Sequence, residues 1–363
     1  MSAAELIQLT CRLERAAFKL DVSADIPLRG ITGIYGASGA GKTTLLRCIA
    51  GLEADFTGEL QFAGERLNGD DLWVPPHERE IGYVFQEPRL FSHLDVRGNI
   101  EYGMHRRKDG TGPAFDEVVA LLGLGQLLER RSYQLSGGEA QRVAIARALL
   151  SSPRVVLMDE PLASLDETRK LEILPFLDRL HAEAAVPIIY VSHNIDEICR
   201  LCDHLMVLDD GQIVANDNLQ SVLLRMDVPG LSGDAAGAVI SGEITEYDSS
   251  YELSLVSFSG GGLWLPAKIG TIGDSVRLRI KANDVSLSKD KPNHSSILNL
   301  IDVVVDDVQD AQGPTQLIRV SAGRDKLIAR ITRRSREELN LQPGDNVVAQ
   351  VKAAAVRGPE IGE

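Results

Sequence analysis

The nine residues GASGAGKTT, Gly36 to Thr44, combine three glycines, a lysine and three hydroxyls, a set suited to holding phosphate. The spacing is G-x-x-x-x-G-K-[ST], and by composition alone it arises in about one chain in a hundred of this length. Its context sharpens it, because an apolar strand (ITGIY) leads in and a helical pattern (KTTLLRCIAGL) leads out. Backbone N–H groups of Gly36, Ala37, Ser38, Gly39, Ala40 and Gly41 would curl around a β-phosphate. Lys42 would reach the β- and γ-phosphates, Thr43 would ligate Mg²⁺, and Thr44 completes the set.

Three further strand ends carry polar groups. RVVLMDEP closes in Asp159 and Glu160, IGYVFQ in Gln86, and IIYVSH in His193. Asp159, at the carboxyl end of a buried strand, is where Mg²⁺ would be held, with Gln86 beside the metal or the attacking water. Glu160 would polarise that water, and His193 would donate to the γ-phosphate. In an open parallel sheet such carboxyl ends share one edge, so four separate stretches would serve one site.

The stretch YQLSGGEAQRVAIARALL adds a second phosphate-facing helix start without a lysine. Ser136 and Glu139 form a capping box, which is a sufficient structural role for them. Gly137 and Gly138 are not explained by capping; they would let a ligand approach the backbone closely.

These residues need a particular scaffold. The first two-thirds of the chain alternates short apolar strands with helical patterns, the texture of an α/β sheet with parallel strands. From about Pro229 the pattern becomes period-two strands broken by Gly, Pro, Asn and Asp, with one helical turn at SREELNL. The expected organisation is a nucleotide-binding domain over 1–229, a linker and first β-subdomain over 230–290, and a second β-domain over 291–363. The stretch SKDKPNHSS, 288–296, marks the expected break between the last two.

Bulk composition excludes several classes. A net charge of −14 disfavours general binding to nucleic acid or acidic lipid. The sequence has no apolar run near the roughly 20 residues that span a bilayer and no leader pattern, so the expectation is a cytoplasmic protein. The four cysteines are too few for a disulfide framework. Cys199 and Cys202 make a single C-x-x-C, but their segment reads as a short helix entering a strand, with both thiols facing the core.

Taken together, residues of about 5–225 resemble the nucleotide-binding domain of ABC transporters, a P-loop NTPase fold with a RecA-like core and antiparallel β and helical subdomains. GASGAGKTT is similar to its Walker A motif and VVLMDE to its Walker B motif. Gln86 matches the Q-loop, LSGGEAQR (135–142) the signature, SLD (164–166) the D-loop and His193 the switch histidine. The resemblance implies ATP and Mg²⁺ as cofactors. It also implies a homodimer in which each ATP lies between the Walker A of one copy and the signature of the other. Phe18 is the candidate for stacking on adenine, in an atypical ERAAFKLD context that leaves the stacking residue open.

VPPHEREIGYVFQ is similar to bacterial importer ATPases, peripheral subunits on the inner membrane's cytoplasmic face that act on a separate permease. Residues 87–104 correspond to the permease-docking region, with Leu90, Phe91 and Leu94 either exposed for a groove or part of a helical core. Residues 295–356 resemble an all-β, OB-like TOBE/Mop domain, and the whole architecture resembles ATPases of molybdate (tungstate) importers fed by a periplasmic oxyanion-binding protein. That resemblance places a C-terminal oxyanion at Ser296 and Lys352, although Ala354 and Ala355 replace the pattern's serines. A dimerising barrel and regulation by bound molybdate both remain open there. Importer ATPases for sulfate, iron or sugar, and a soluble non-transport ABC ATPase, are the alternatives.

Overall fold

A computed structural model describes residues 5–15, 18–107, 112–183, 186–309 and 313–353. The chain forms two compact units, Met1–Asp217 and Asn218–Glu363.

In the first unit the elements run β1 (Leu6–Arg15), β2 (Phe18–Pro27), β3 (Ile31–Tyr35), α1 (Lys42–Ala50), β4 (Leu60–Phe62), β5 (Glu65–Gly69) and β6 (Leu72–Trp73). They continue with β7 (Ile81–Val84), α2 (Val96–Met104), α3 (Phe115–Leu121), α4 (Gly137–Leu149), β8 (Val155–Asp159) and α5 (Glu167–Glu183). The last are β9 (Ile188–Val191), α6 (Ile195–Leu201), β10 (His204–Asp209) and β11 (Gln212–Asn218).

The central sheet has the order β11-β10-β3-β9-β8-β7. All pairings from β10 to β7 are parallel. The runs VVLMD and IIYV are buried throughout, as strands covered on both faces must be. Parallel pairing puts the carboxyl ends of β3, β7, β8 and β9 on one edge, as the sequence reading required.

A second sheet, β2-β1-β4-β5-β6, contains the long antiparallel β1–β2 hairpin. Its inward residues Ile7, Leu9, Cys11 and Leu13 share a core with Leu45, Leu46 and Ile49 of α1. Fully burying each such aliphatic side chain contributes about 1.5–3 kcal/mol, which seats α1 firmly beneath its N-terminal loop.

Leu90, Phe91 and Leu94 are half-buried, between the two expectations for them. The Phe91 ring lies 4.6 Å from that of Tyr102, and the Arg147 guanidinium sits 5.1 Å over its face. Cys199 and Cys202 are both buried, on and just after α6. Among the described residues no helix is long and apolar enough to cross a membrane.

The second unit begins with α7 (Leu219–Leu223) and continues with β12 (Gly237–Asp248), β13 (Leu253–Phe258), β14 (Gly261–Pro266), β15 (Ser275–Lys281) and β16 (Val285–Ser288). Then follow β17 (Asn299–Val308), β18 (Thr315–Ala322), β19 (Asp325–Thr332), α8 (Arg333–Leu339) and β20 (Asn346–Val351). Two sheets form, β14-β13-β12-β15 and β16-β20-β17-β18-β19. The helical turn expected at SREELNL is α8.

One apolar core joins both sheets, from Ala238 and Val256 to Ile301 and Val351. The stretch 288–296, where the sequence suggests a break, runs between β16 and β17, and β16 just before it pairs with β20. Asn299, 1% exposed, links the two sheets: its amide oxygen accepts from Trp264 N–H and its amide nitrogen donates to Trp264 C=O.

Candidate active site

The loop after β3 turns into α1 through Gly39 and Gly41, at φ 86° and 102°. Those are left-handed backbone values that glycine adopts without strain. At Gly41 a side chain would also run into the Phe18 ring. Ala40 is buried under the loop. Lys42 Nζ donates to the carbonyls of Gly36 and Ala37, each at 2.9 Å. The ammonium is thus held across the loop, 3.9 Å from Glu160 Oε1. Burial lowers the Lys42 pKa below its ordinary value, against the pull of Glu160 and Asp159.

Thr43 Oγ1 donates to Asp159 Oδ1 at 2.8 Å. Tyr83, on the neighbouring β7, donates its hydroxyl to Asp159 Oδ2 at 3.0 Å. Burial raises the Asp159 pKa, and the two hydrogen bonds work the other way. Tyr83 escaped the sequence reading. The parallel pairing of Tyr83 with Leu157 carries its phenol towards the next strand's end, and that register is not written in the run IGYVFQ.

Glu160 has φ 45°, an uncommon conformation for a residue with a side chain. Its backbone N–H donates to Val191 C=O at 3.0 Å, so the adjacent strand β9 holds the strained turn in place. Its carboxylate meets His193 Nδ1 at 3.0 Å. A cleft of about 370 Å³ is lined by Ser38, Gly39, the run from Gly41 to Thr44, Gln86, Glu160 and Phe18. A neighbouring cleft of about 380 Å³ shares Phe18 and adds Arg15, Lys19, Asp21, Asp210 and Gln212.

The second helix start is built differently. Ser136 caps α4 by accepting from Glu139 N–H at 3.2 Å, and Glu139 Oε2 accepts from Ser136 N–H at 2.7 Å. The expected capping box is therefore present. Gly137 and Gly138 pack against Leu165 and Ile173, where an added Cβ would come within 3.0 and 3.3 Å of side-chain methyls. Ser136, Gly137 and Gly138 do not line the cleft of the phosphate loop.

In the second unit, Asn299 pairs with Val351, so Ser296 and Lys352 stand at the same end of the β17–β20 pair, both exposed. Ala354 and Ala355 lie outside the described residues.

The ABC transporter family model matches residues 20–163 and the TOBE domain model residues 295–358. A molybdenum import ATP-binding protein of Methylococcus capsulatus is 46% identical over 97% of this chain and 99% of its own length. That of Thiobacillus denitrificans is 49% identical over 97% and 98%. The chain belongs to this family of ABC transporter ATP-binding proteins.

Among solved structures, cbiO1 from Clostridium perfringens, part of an ABC transporter complex, superposes with a TM-score of 0.52. It is 27% identical and covers 61% of this chain and 91% of that one. A dimeric ATP-binding cassette bound to ADP and Pi gives 0.50, at 27% identity over 59% and 98%. Family members of this kind are ATPases coupled to transport.

Proposed function

We propose that this chain hydrolyses ATP to drive import of molybdate or tungstate through a separate permease, at the cytoplasmic face of the inner membrane. The observation that carries the enzymatic part is the convergence of Lys42, the Thr43–Asp159 pair and the Glu160–His193 pair on one sheet edge.

ATP would lie with its phosphates over the Gly36–Thr44 loop, where backbone N–H groups and Lys42 take up negative charge. Phe18, shared by both clefts, would stack on the base. Thr43 and Asp159 offer hard oxygen donors 2.8 Å apart, a set that suits Mg²⁺, with Gln86 at the rim. Mg²⁺ would supply charge neutralisation on the β- and γ-phosphate oxygens. Glu160 would accept the proton of the attacking water, and His193 would orient Glu160 and donate to the γ-phosphate.

Tyr83 holds the Asp159 carboxylate that would meet the metal. Tyr83→Phe should therefore raise the Mg²⁺ concentration for half-maximal ATPase by about tenfold and weaken Mn²⁺ binding in parallel. The thermal midpoint should stay nearly constant, since the ring remains. Unchanged metal dependence would remove Tyr83 from the site.

Homodimerisation is supported by the position of Ser136–Gly138 away from the cleft of their own chain, and by the dimeric cassette structure. The molybdate reading is supported by relatives that align along nearly the whole chain, TOBE domain included. A C-terminal oxyanion subsite is supported by Ser296 and Lys352 sharing one end of a strand pair. Delivery by a periplasmic oxyanion-binding protein completes the proposed assembly. Cells lacking this chain should lose uptake of labelled molybdate and tungstate and keep that of sulfate. Loss of sulfate uptake with molybdate uptake intact would reverse the cargo assignment.

A further inference from the structure

Glu197, on α6, is a carboxylate with only 7% exposure. Its Oε2 accepts from Tyr190 OH at 3.0 Å and from Ser192 Oγ at 2.8 Å. Its Oε1 pairs with Lys170 Nζ at 3.3 Å. Burying a carboxylate is costly unless it is paired and hydrogen-bonded, and here both conditions are met.

One side of this group leads to the turn that carries His193 and the other to the start of α5. On one side, Ser192 Oγ also accepts from Asn194 N–H at 3.0 Å, which closes the turn carrying His193. Asn194 in turn caps α6 by accepting from Asp196 N–H at 2.8 Å. On the other side, Lys170 lies one helical turn beyond Asp166, and its N–H donates to Asp166 C=O at 3.0 Å. A continuous set of contacts therefore runs from the start of α5 through Lys170, Glu197 and Ser192 to His193 and Glu160.

The Lys170–Glu197 contact is not the only ion pair between α5 and α6 among the described residues. Arg200 already joins the two helices through Asp178, at 2.7 Å. The Lys170–Glu197 pair lies nearer the start of both helices, next to the turn that carries His193.

We propose that Glu197 is a positioning residue for His193 and that Lys170 sets the position of Glu197, so the start of α5 and the orientation of His193 move together. This rests on the reading of His193 as a group facing the γ-phosphate. A displacement of the segment ending at Asp166, when a second chain or nucleotide meets it, would reach the Glu160–His193 pair through these side chains.

Contiguity alone is not coupling, so the test is a double-mutant cycle on the full chain. Lys170→Met and Ser192→Ala are each made alone and combined with His193→Ala, and kcat and KM for ATP are measured. Ser192→Ala keeps the ion pair, so it remains informative if Lys170→Met folds poorly. Each single variant should lower kcat by about threefold to thirtyfold with KM nearly constant. In the His193→Ala background neither should cause further loss. Losses that multiply in full in that background, or singles with wild-type kcat, would overturn the proposal. If His193→Ala alone keeps wild-type kcat, the reading of His193 itself fails, a result that does not involve Lys170 or Ser192.

Discussion

Glu160→Gln should stop ATP turnover and leave nucleotide binding intact. Glutamine keeps the size of the side chain, and the strained φ of 45° is fixed by the Glu160 N–H to Val191 C=O bond, which the substitution does not touch. What is lost is the carboxylate that sits at the cleft, 3.0 Å from His193 Nδ1 and 3.9 Å from Lys42 Nζ. A positioned general base contributes 10²–10⁴-fold, so kcat should fall by about a thousandfold. Binding should hold or tighten, because a negative charge beside the phosphates disappears while Lys42 and the loop N–H groups remain. An ATP-bound dimer should then accumulate, visible by size-exclusion chromatography, since the step that separates the halves no longer occurs. Near-normal phosphate release from this variant would remove Glu160 from its role.

Much of this site was legible because its parts lie at the ends of continuous apolar runs. VVLMD and IIYV can be read as buried parallel strands without any knowledge of their neighbours, and parallel order then places Asp159, Glu160 and His193 on one edge. The cap at Ser136 was legible for a similar reason, since S-x-x-E is a local pattern. Contacts that depend on register were not. Tyr83 reaches Asp159 across strands, and Lys170 meets Glu197 across helices. Nothing in the spacing of either pair announces the meeting. The stretch SKDKPNHSS has the composition of a linker, but composition does not tell that Val285 and Leu287 just before it join the core shared with Val347 and Val351. Phe91 was expected either exposed or in a core; a tyrosine ring and a guanidinium from elsewhere in the chain cover it only in part.

The second large effect is expected at the other helix start. Gly137→Asp should leave ATP binding to the separate chain within about threefold of normal, and abolish both ATP-dependent dimerisation and hydrolysis, by about a hundredfold or more. Gly137 opens α4, where an added carboxylate is favourable to the helix dipole, so the cap formed by Ser136 and Glu139 should survive. The new Cβ approaches only a methyl of Leu165, at 3.0 Å, which a flexible side chain can relieve. The cleft of the same chain does not include Gly137, so its own bound nucleotide should not sense the change. A γ-phosphate brought by a second copy would meet a like charge where the backbone N–H groups should receive it. Gly137→Ala separates this from packing, because it adds the same Cβ without charge and suits a helix better than glycine. It should retain most of the activity. If alanine proves as damaging as aspartate, the glycine serves the contact with Leu165. If aspartate leaves hydrolysis unchanged, the second helix start receives no phosphate from any copy. Retained activity in the alanine variant with loss in the aspartate variant would mark Gly137 as the point where one chain completes the site of another.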